Sequence, residues 1–509
     1  VIASDVMANK DKFGNGGNIL VTAGNNVNIL SDTTSQSSSS MTSKSKSIGS
    51  LNIGNKGRAD GMAQIIQNSS HLSANGGNIV VKSGKDTLIG ASELQSTESI
   101  GLVAGGNVVV TGLDEKYGES SSKYKGGMFR GGHLYKSNSE SEMNQNITNK
   151  ESVLKAGKDI VVKGENVGIL GSDLDAGQDI NVDAKNYIFM LSTVDTEYKH
   201  RTETHSSRRW HGGKKTTTEN WTEDNEYANN VDITTNGNIL LNYHGAGAPA
   251  DNKGIFAQGV NFNAKGQVLG LSEGDIYIQG TKDRLNSVYT SKTKKSFAGI
   301  GYKKSSDYVN TYQERYRLGQ LYGDAGITYD ADGKLRVEGV DVQSSGKTFF
   351  RGKMGTQFLP GIENGHRYEE HKSSGLTASL GLSWSGLSAG VGYQKSVDRI
   401  AETTKTIVPN KMNVAGEVVL ETEKGNIDFY PTTGAVGKLV FNANGNEINI
   451  LDMQNERTYD RQTQKSYVGI GANLGIPVVS SLQQVWEAGR GLRHARSKED
   501  YINGGSRLA

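Results

Sequence analysis

Ala156-Gly157-Lys158-Asp159-Ile160-Val161-Val162 and Ala176-Gly177-Gln178-Asp179-Ile180-Asn181-Val182 are two copies of one phrase. Each is a small residue, Gly, a polar residue, Asn or Asp, then a short run of alternating β-branched residues. The phrase recurs at Ala23-Gly24-Asn25-Asn26-Val27, Gly77-Asn78-Ile79, Ala104-Gly105-Gly106-Asn107-Val108, Gly237-Asn238-Ile239, Gly274-Asp275-Ile276 and Gly425-Asn426-Ile427. Its first half reads as a turn, with Gly supplying positive φ and Asn or Asp tolerating the left-handed region. Its second half reads as a strand with one apolar face. One such strand cannot bury that face alone. Stacked in parallel, successive copies bury a continuous core in which each rung touches only its neighbours. The pattern predicts an all-β chain folded as a right-handed parallel β-helix, a β-solenoid.

Composition agrees. Five Pro in 509 residues suits a chain made of ladder strands, because Pro cannot donate to a ladder. The 66 Gly and the short apolar runs argue against helix, and Gly does not recur every third residue as in collagen. The net charge of +2 sets up no global field for nucleic acid, so no nucleic-acid partner is expected. The absence of Cys excludes a disulfide scaffold, a thiolate metal site and a Cys nucleophile. It also fits export of an unfolded polypeptide. No apolar run reaches the roughly 18 residues that would span a bilayer as a helix. The pattern is already under way at Val1-Ile2-Ala3-Ser4-Asp5, which reads as a segment of a longer polypeptide.

A second, longer period interrupts the strand phrases. Segments rich in Ser, Thr, Lys, Glu and Tyr start at Asp32, Asp114, Asp195, Asp283, His366 and Asp452, about 81 to 88 residues apart. Polar alternating arms on either side of a Gly-containing tip read as β-hairpins extruded from the solenoid. The expected organisation is a β-helix over 1–475 in about six modules. Its excursions fall near 32–54, 114–146, 195–228, 283–320, 366–405 and 452–475. After Pro477, Val478, Leu482, Val485 or Trp486, and Leu492 recur at helical spacing, so 476–509 is expected to be a short helical cap or linker toward a further domain.

No residues assemble a catalytic motif, and no cofactor or metal site is expected. Asp330-Ala331-Asp332-Gly333 lacks the later ligands of a calcium loop and reads as a hairpin turn between Ile327–Tyr329 and Leu335–Val337. Two excursions carry candidate binding residues. In the third, Arg208, Arg209, Trp210, Lys214 and Lys215 form a basic, aromatic tip suited to anionic glycans or lipid head groups. The bland reading is a solvated hairpin whose charges are balanced by Glu197, Glu203, Glu219 and Glu223. In the fifth, Leu376, Leu380, Leu382 and Trp384 alternate with small polar residues, as in an amphipathic membrane strand.

The phrases Leu154-Lys155-Ala156-Gly157-Lys158-Asp159-Ile160 and Gly171-Ser172-Asp173-Leu174-Asp175-Ala176-Gly177-Gln178-Asp179-Ile180, followed by Asp195-Thr196-Glu197, resemble the hemagglutinin repeat of the filamentous hemagglutinin family. Later copies drift from the pattern around 321–365 and 406–450. The resemblance implies a large two-partner-secretion exoprotein, exported by an outer-membrane partner transporter and displayed on a Gram-negative cell surface. Within that family the pattern is similar to the distal repeat region of contact-dependent growth-inhibition effectors. That likeness implies a downstream toxin domain and work at the target cell's outer membrane or a surface receptor. Other members of the family imply the alternative, an adhesin rod, and a β-helical polysaccharide lyase is a third and weaker reading.

Overall fold

The computed structural model describes residues 1–14, 16–48, 51–130, 133–243, 252–383 and 386–474. All regular elements among them are β-strands. The short strands pair in parallel and divide into three ladders. One runs from Asp5–Ala8 through His71–Ala74, Glu93–Ser96, Val153–Ala156 and Asp173–Ala176, and on to the first part of Thr432–Asn442. Ten successive pairings link its eleven strand segments. The second starts at Ile19–Ala23 and the third at Val27–Leu30, and each climbs in step with the first. The three ladders enclose one apolar cluster.

Alternation explains which side chains fill it. Ile79, Ile100, Ile160, Ile180 and Ile239 occupy one inward row, Leu72, Leu94, Leu154 and Leu174 another, and Ile89, Val110, Ile169 and Met190 a third, all with at most 1% exposure. Inward rows trade volume with their neighbours. Gly270 lies one rung from Tyr329, and a Cβ on Gly270 would sit 2.5 Å from the Tyr329 ring. The fully buried Tyr329 stacks in turn on Phe350 at a 6.3 Å centroid separation.

The phrase's glycines act differently from the expectation. None of Gly77, Gly157, Gly177 or Gly237 has positive φ. They sit where the chain crosses close to the rung below: a Cβ on Gly177 would lie 2.0 Å from the Gly157 carbonyl oxygen, and one on Gly157 2.2 Å from that of Thr97. The Asn or Asp builds a ladder rather than a turn. Its side chain accepts the backbone N–H of the residue at the same level one rung on. Asn78 donates to Asn18 Oδ1 at 2.7 Å, Ser99 to Asn78 Oδ1 at 3.0 Å, Asp179 to Asp159 Oδ1 at 3.1 Å and Asn238 to Asp179 Oδ1 at 2.7 Å.

The excursions are hairpins: Asp32–Ile48 with Leu51–Asn68, Leu113–Arg130 with His133–Lys150, Thr193–Arg208 with Gly213–Asn229, Thr281–Phe297 with Ile300–Arg317, and Gly361–Ser383 with Gly386–Val408. A sixth arm is Glu456–Leu474. The first returns along 55–68, past the expected end at Gly54. All leave from one corner, after a strand of the third ladder, and at every second rung. They do not lie separately on the shaft. They pair side by side into one eleven-stranded antiparallel sheet.

The every-second-rung rule follows from strand spacing. Rungs and sheet strands both repeat at about 4.8 Å. A hairpin contributes two strands, about 9.6 Å of sheet, and two rungs contribute the same height of shaft. Hairpins at every rung would be crowded, and hairpins at every third rung would leave unpaired edges. The 81–88-residue period is thus two rungs plus one hairpin.

One local expectation fails. The residues flanking Asp330–Gly333 do not form a hairpin: Gly326–Ala331 and Leu335–Glu338 belong to different parallel ladders. Asp332-Gly333 is a corner of the rung, and Asp330 is held by Arg351 at 2.6 Å. The predicted helix over 476–509 lies outside the described residues.

Candidate functional site

Each hairpin is anchored where it leaves the shaft. A polar side chain near the root of one hairpin accepts a backbone N–H from the end of the preceding hairpin. Glu115 takes the N–H of Gln67 at 2.9 Å, Asp195 that of Asn149 at 2.7 Å, Asp283 that of Ala228 at 2.9 Å, Glu363 that of Tyr316 at 2.8 Å and Asn455 that of Ile407 at 2.7 Å. This is the structural reason for an Asp at the head of the polar stretch beginning Asp195-Thr196. Asp283, with 6% exposure, also receives Arg317 Nε at 2.8 Å. Above the roots the sheet is wet on both faces and held by cross-strand polar pairs. Examples are Thr204 with Thr218 at 3.2 Å, Thr217 with Thr293 at 3.0 Å and Ser287 with Thr311 at 2.6 Å.

The sheet segregates charge along the hairpin axis. One register row crosses all eleven strands: Thr42, Arg58, Lys123, Glu140, Glu203, Glu219, Ser291, Asp307, His371, Asp398 and Thr463. Distal to that row no strand of the sheet carries Asp or Glu. In sequence terms, 33–59, 120–139, 204–218, 284–306, 371–397 and 461–474 are free of acids. Distal to the row, three Lys or Arg lie in each of the first two hairpins, four in the third, five in the fourth, two in the fifth and one in the sixth arm. Several acids on or beside the row are paired locally. Arg201 bridges Glu140 and Glu203. Hydrogen bonds from Lys372 and then Arg399 hold the Glu370 carboxyl below its ordinary pKa. Arg461 and then Thr463 do the same for Asp398.

Arg208, Arg209, Lys214 and Lys215 fall within this distal band. None has an acidic partner among the described residues. Lys199 takes Glu197 and Arg201 takes Glu203, so those two acids serve cations nearer the root. Trp210, 62% exposed, stacks on Phe129 of the neighbouring tip at a 5.2 Å centroid distance. Exposed Ile48, Phe297, Ile300 and Tyr302 extend the apolar line of tips.

The fifth hairpin is different. Its arms have 23 residues, against 18 for the longest arm of the fourth. At about 3.3 Å per residue it overreaches its neighbour by roughly 15 Å. Pairing to the fourth hairpin stops at Gly375, whereas pairing to the sixth arm continues to Leu387↔Leu474. In this blade Leu376 stands opposite Tyr393, Val391 opposite Ile470 and Tyr393 opposite Val468. All five side chains are exposed, between 49% and 76%. The intervening positions include Gly392, Gly469 and Gly471. Leu376 thus lies at the blade's base. The backbone register carries Leu380 and Leu382 along the same strand, while their side chains and Trp384 lie outside the described residues.

On the shaft itself, outward-facing aromatics form a short strip. Phe189 and Phe256 stack at 5.4 Å, Phe256 meets Tyr277 at 5.4 Å, and Gln258, Gln279 and Arg336 line the same shallow groove. No group of three or more His, Cys, Asp or Glu among the described residues is placed to hold a metal ion.

A parallel β-helix that carries a commensurate lateral sheet of hairpins defines a rod-like repeat protein. Residues 133–282 and 391–501, just over half of the chain, match the hemagglutinin repeat, and the chain belongs to that family. It is therefore a repeat region of a secreted, cell-surface hemagglutinin-type exoprotein. No curated protein and no solved structure matches it.

Proposed function

We propose that this chain is the shaft and translocation segment of a Gram-negative exoprotein that carries a toxin further along the polypeptide. It would deliver that toxin across the outer membrane of a contacted cell, as in contact-dependent inhibition. In this reading the protein is exported through an outer-membrane two-partner transporter and stays attached to the producing cell. Its work is mechanical rather than catalytic.

The observation that carries the reading is the blade. Exposed Leu376, Val391, Tyr393, Val468 and Ile470 alternate with Gly and polar residues on the acid-free distal parts of three adjacent strands. Water exposes such a face at a cost of about 25 cal/mol per Å² of apolar area. Alternating strands of roughly ten residues are the form in which β-structure enters hydrocarbon. The test replaces residues 376–393 by an Asn-Gly turn, which rejoins the registered pair Gly375 and Gln394. The exoprotein should still reach the surface while delivery falls at least about tenfold. Unchanged delivery would remove the blade from the mechanism.

The second reading, an adhesin rod, is favoured by the strip of Phe189, Phe256 and Tyr277, since stacked rings beside amide side chains suit sugar faces. Loss of cell attachment in Phe256→Ser, with delivery intact, would favour it.

A further inference from the structure

The blade occupies only the last two hairpins, yet all eleven sheet strands obey the charge boundary. We infer that the distal band of the first four hairpins is an interfacial seat for a membrane surface rich in phosphate-bearing anionic lipid. The inference rests on the reading that the hairpin tips meet a target membrane, and it names the lipid chemistry that they recognise.

Three features of the sheet converge on that partner. First, the band is cationic by exclusion of acids. The chain as a whole holds 54 acids against 56 bases, so an acid-free zone on every strand beyond one register row is a property of the sheet and not of the composition. A cationic surface whose charges are satisfied internally would show ion pairs. Arg208, Arg209, Lys214, Lys215, Lys294 and Lys304 have none among the described residues.

Second, the band is layered. The outermost positions are exposed apolar and aromatic residues, Ile48, Phe129, Trp210, Phe297 and Ile300, and the cations flank them. Rings and aliphatic side chains seated at the head-group boundary, with Lys and Arg reaching the phosphates, is the arrangement of interfacial anchors. A soluble polyanion would have no use for the apolar line.

Third, the tips are in register. The pairing of neighbouring hairpins fixes their spacing, so many weak contacts act together along one row. Near an anionic leaflet each Lys or Arg contributes on the order of 1 kcal/mol, an attraction that falls off within a Debye length.

The test is sedimentation of the purified chain with vesicles of phosphatidylcholine alone or with 30 mol% phosphatidylglycerol. The prediction is binding to the anionic vesicles at least about tenfold tighter than to the neutral ones, weakening with salt. The variant Lys292→Ser/Lys294→Ser/Lys295→Ser/Lys303→Ser/Lys304→Ser should lose at least about tenfold, and Phe129→Ser/Trp210→Ser should weaken binding separately. Lys155→Ser/Lys334→Ser, on the shaft, should bind as the parent does. Thermal unfolding of each variant checks that the sheet is intact. Equal binding to both vesicles, or binding unmoved by the lysine variant, overturns the proposal. So does retention of heparin-like polyanions in place of vesicles with no effect of Phe129→Ser/Trp210→Ser. Because the assay uses neither toxin nor target cell, it can fail while blade-dependent delivery stands, and delivery can fail while vesicle binding stands.

Discussion

At the scale of single residues, the same side chain does different work depending on what the next rung brings to it. Gly177 and Gly157 read as turn formers, but they are clearance residues. Asp159 and Asp179 read as turn acceptors, but they link rungs. The types are legible in one dimension and the roles are not, because the deciding atom lies one rung away. Asp173 illustrates a cost of stacking. Burial pushes its carboxyl up to about 6; the Asp232 N–H that it accepts opposes this, and nearby Glu151 adds to it. The folded pKa thus lies above the unfolded value of 3.8, so the folded state binds the proton more tightly. The ionised group costs stability above about pH 6, the cost shrinks as pH falls through the window, and below about 3.8 it is gone. Asp173→Asn should raise stability by about 1–2 kcal/mol at pH 7, allowing for solvent screening, and by nothing at pH 3.5. Denaturant midpoints of variant and parent at the two pH values check this; an equal gain at both would refute the burial account.

At the scale of the element, the hairpins show how polar β-structure can be specified without a core. Isolated, arms such as Asp32–Ile48, exposed along their whole length, would slip in register. The roots prevent this by tying each hairpin to the one before. Asp283→Ala would leave the Ala228 N–H and Arg317 without their shared acceptor. It should cost about 2–3 kcal/mol and make the fourth hairpin the first site of proteolytic cutting, with Asp283→Asn milder because it keeps an acceptor. Cutting elsewhere first would place the anchor at another residue. The existence of the hairpins was legible from Ser and Thr alternation around Gly, and the apolar rhythm of Leu376 to Tyr393 is visible along the chain. The acid-free band was not. Each stretch without Asp or Glu is unremarkable alone, and the boundary appears only when Glu140, Glu203, Glu219, Asp307 and Asp398 are brought to one row by pairings between residues far apart in sequence.

At the scale of the whole molecule, shaft and sheet are two lattices locked at one spacing. That match sets the module length, aligns the tips and turns a row of weak hairpins into a surface. It also makes an unusual demand on deletions. Removing residues 153–230 takes out two rungs and the third hairpin together, which leaves the two lattices in phase. Removing only 153–172 takes out one rung and puts every later hairpin half a module out of step with the ones before it. The decisive measurement is cooperative unfolding and limited proteolysis of these two deletions beside the parent chain. The larger deletion should keep a single transition and protected hairpin arms. The smaller one should melt earlier and expose Leu113–Lys150 and Thr193–Asn229 to protease. If the smaller deletion proves as stable as the larger, the shaft and the hairpin sheet are not locked in register, and the aligned row of tips loses its physical basis.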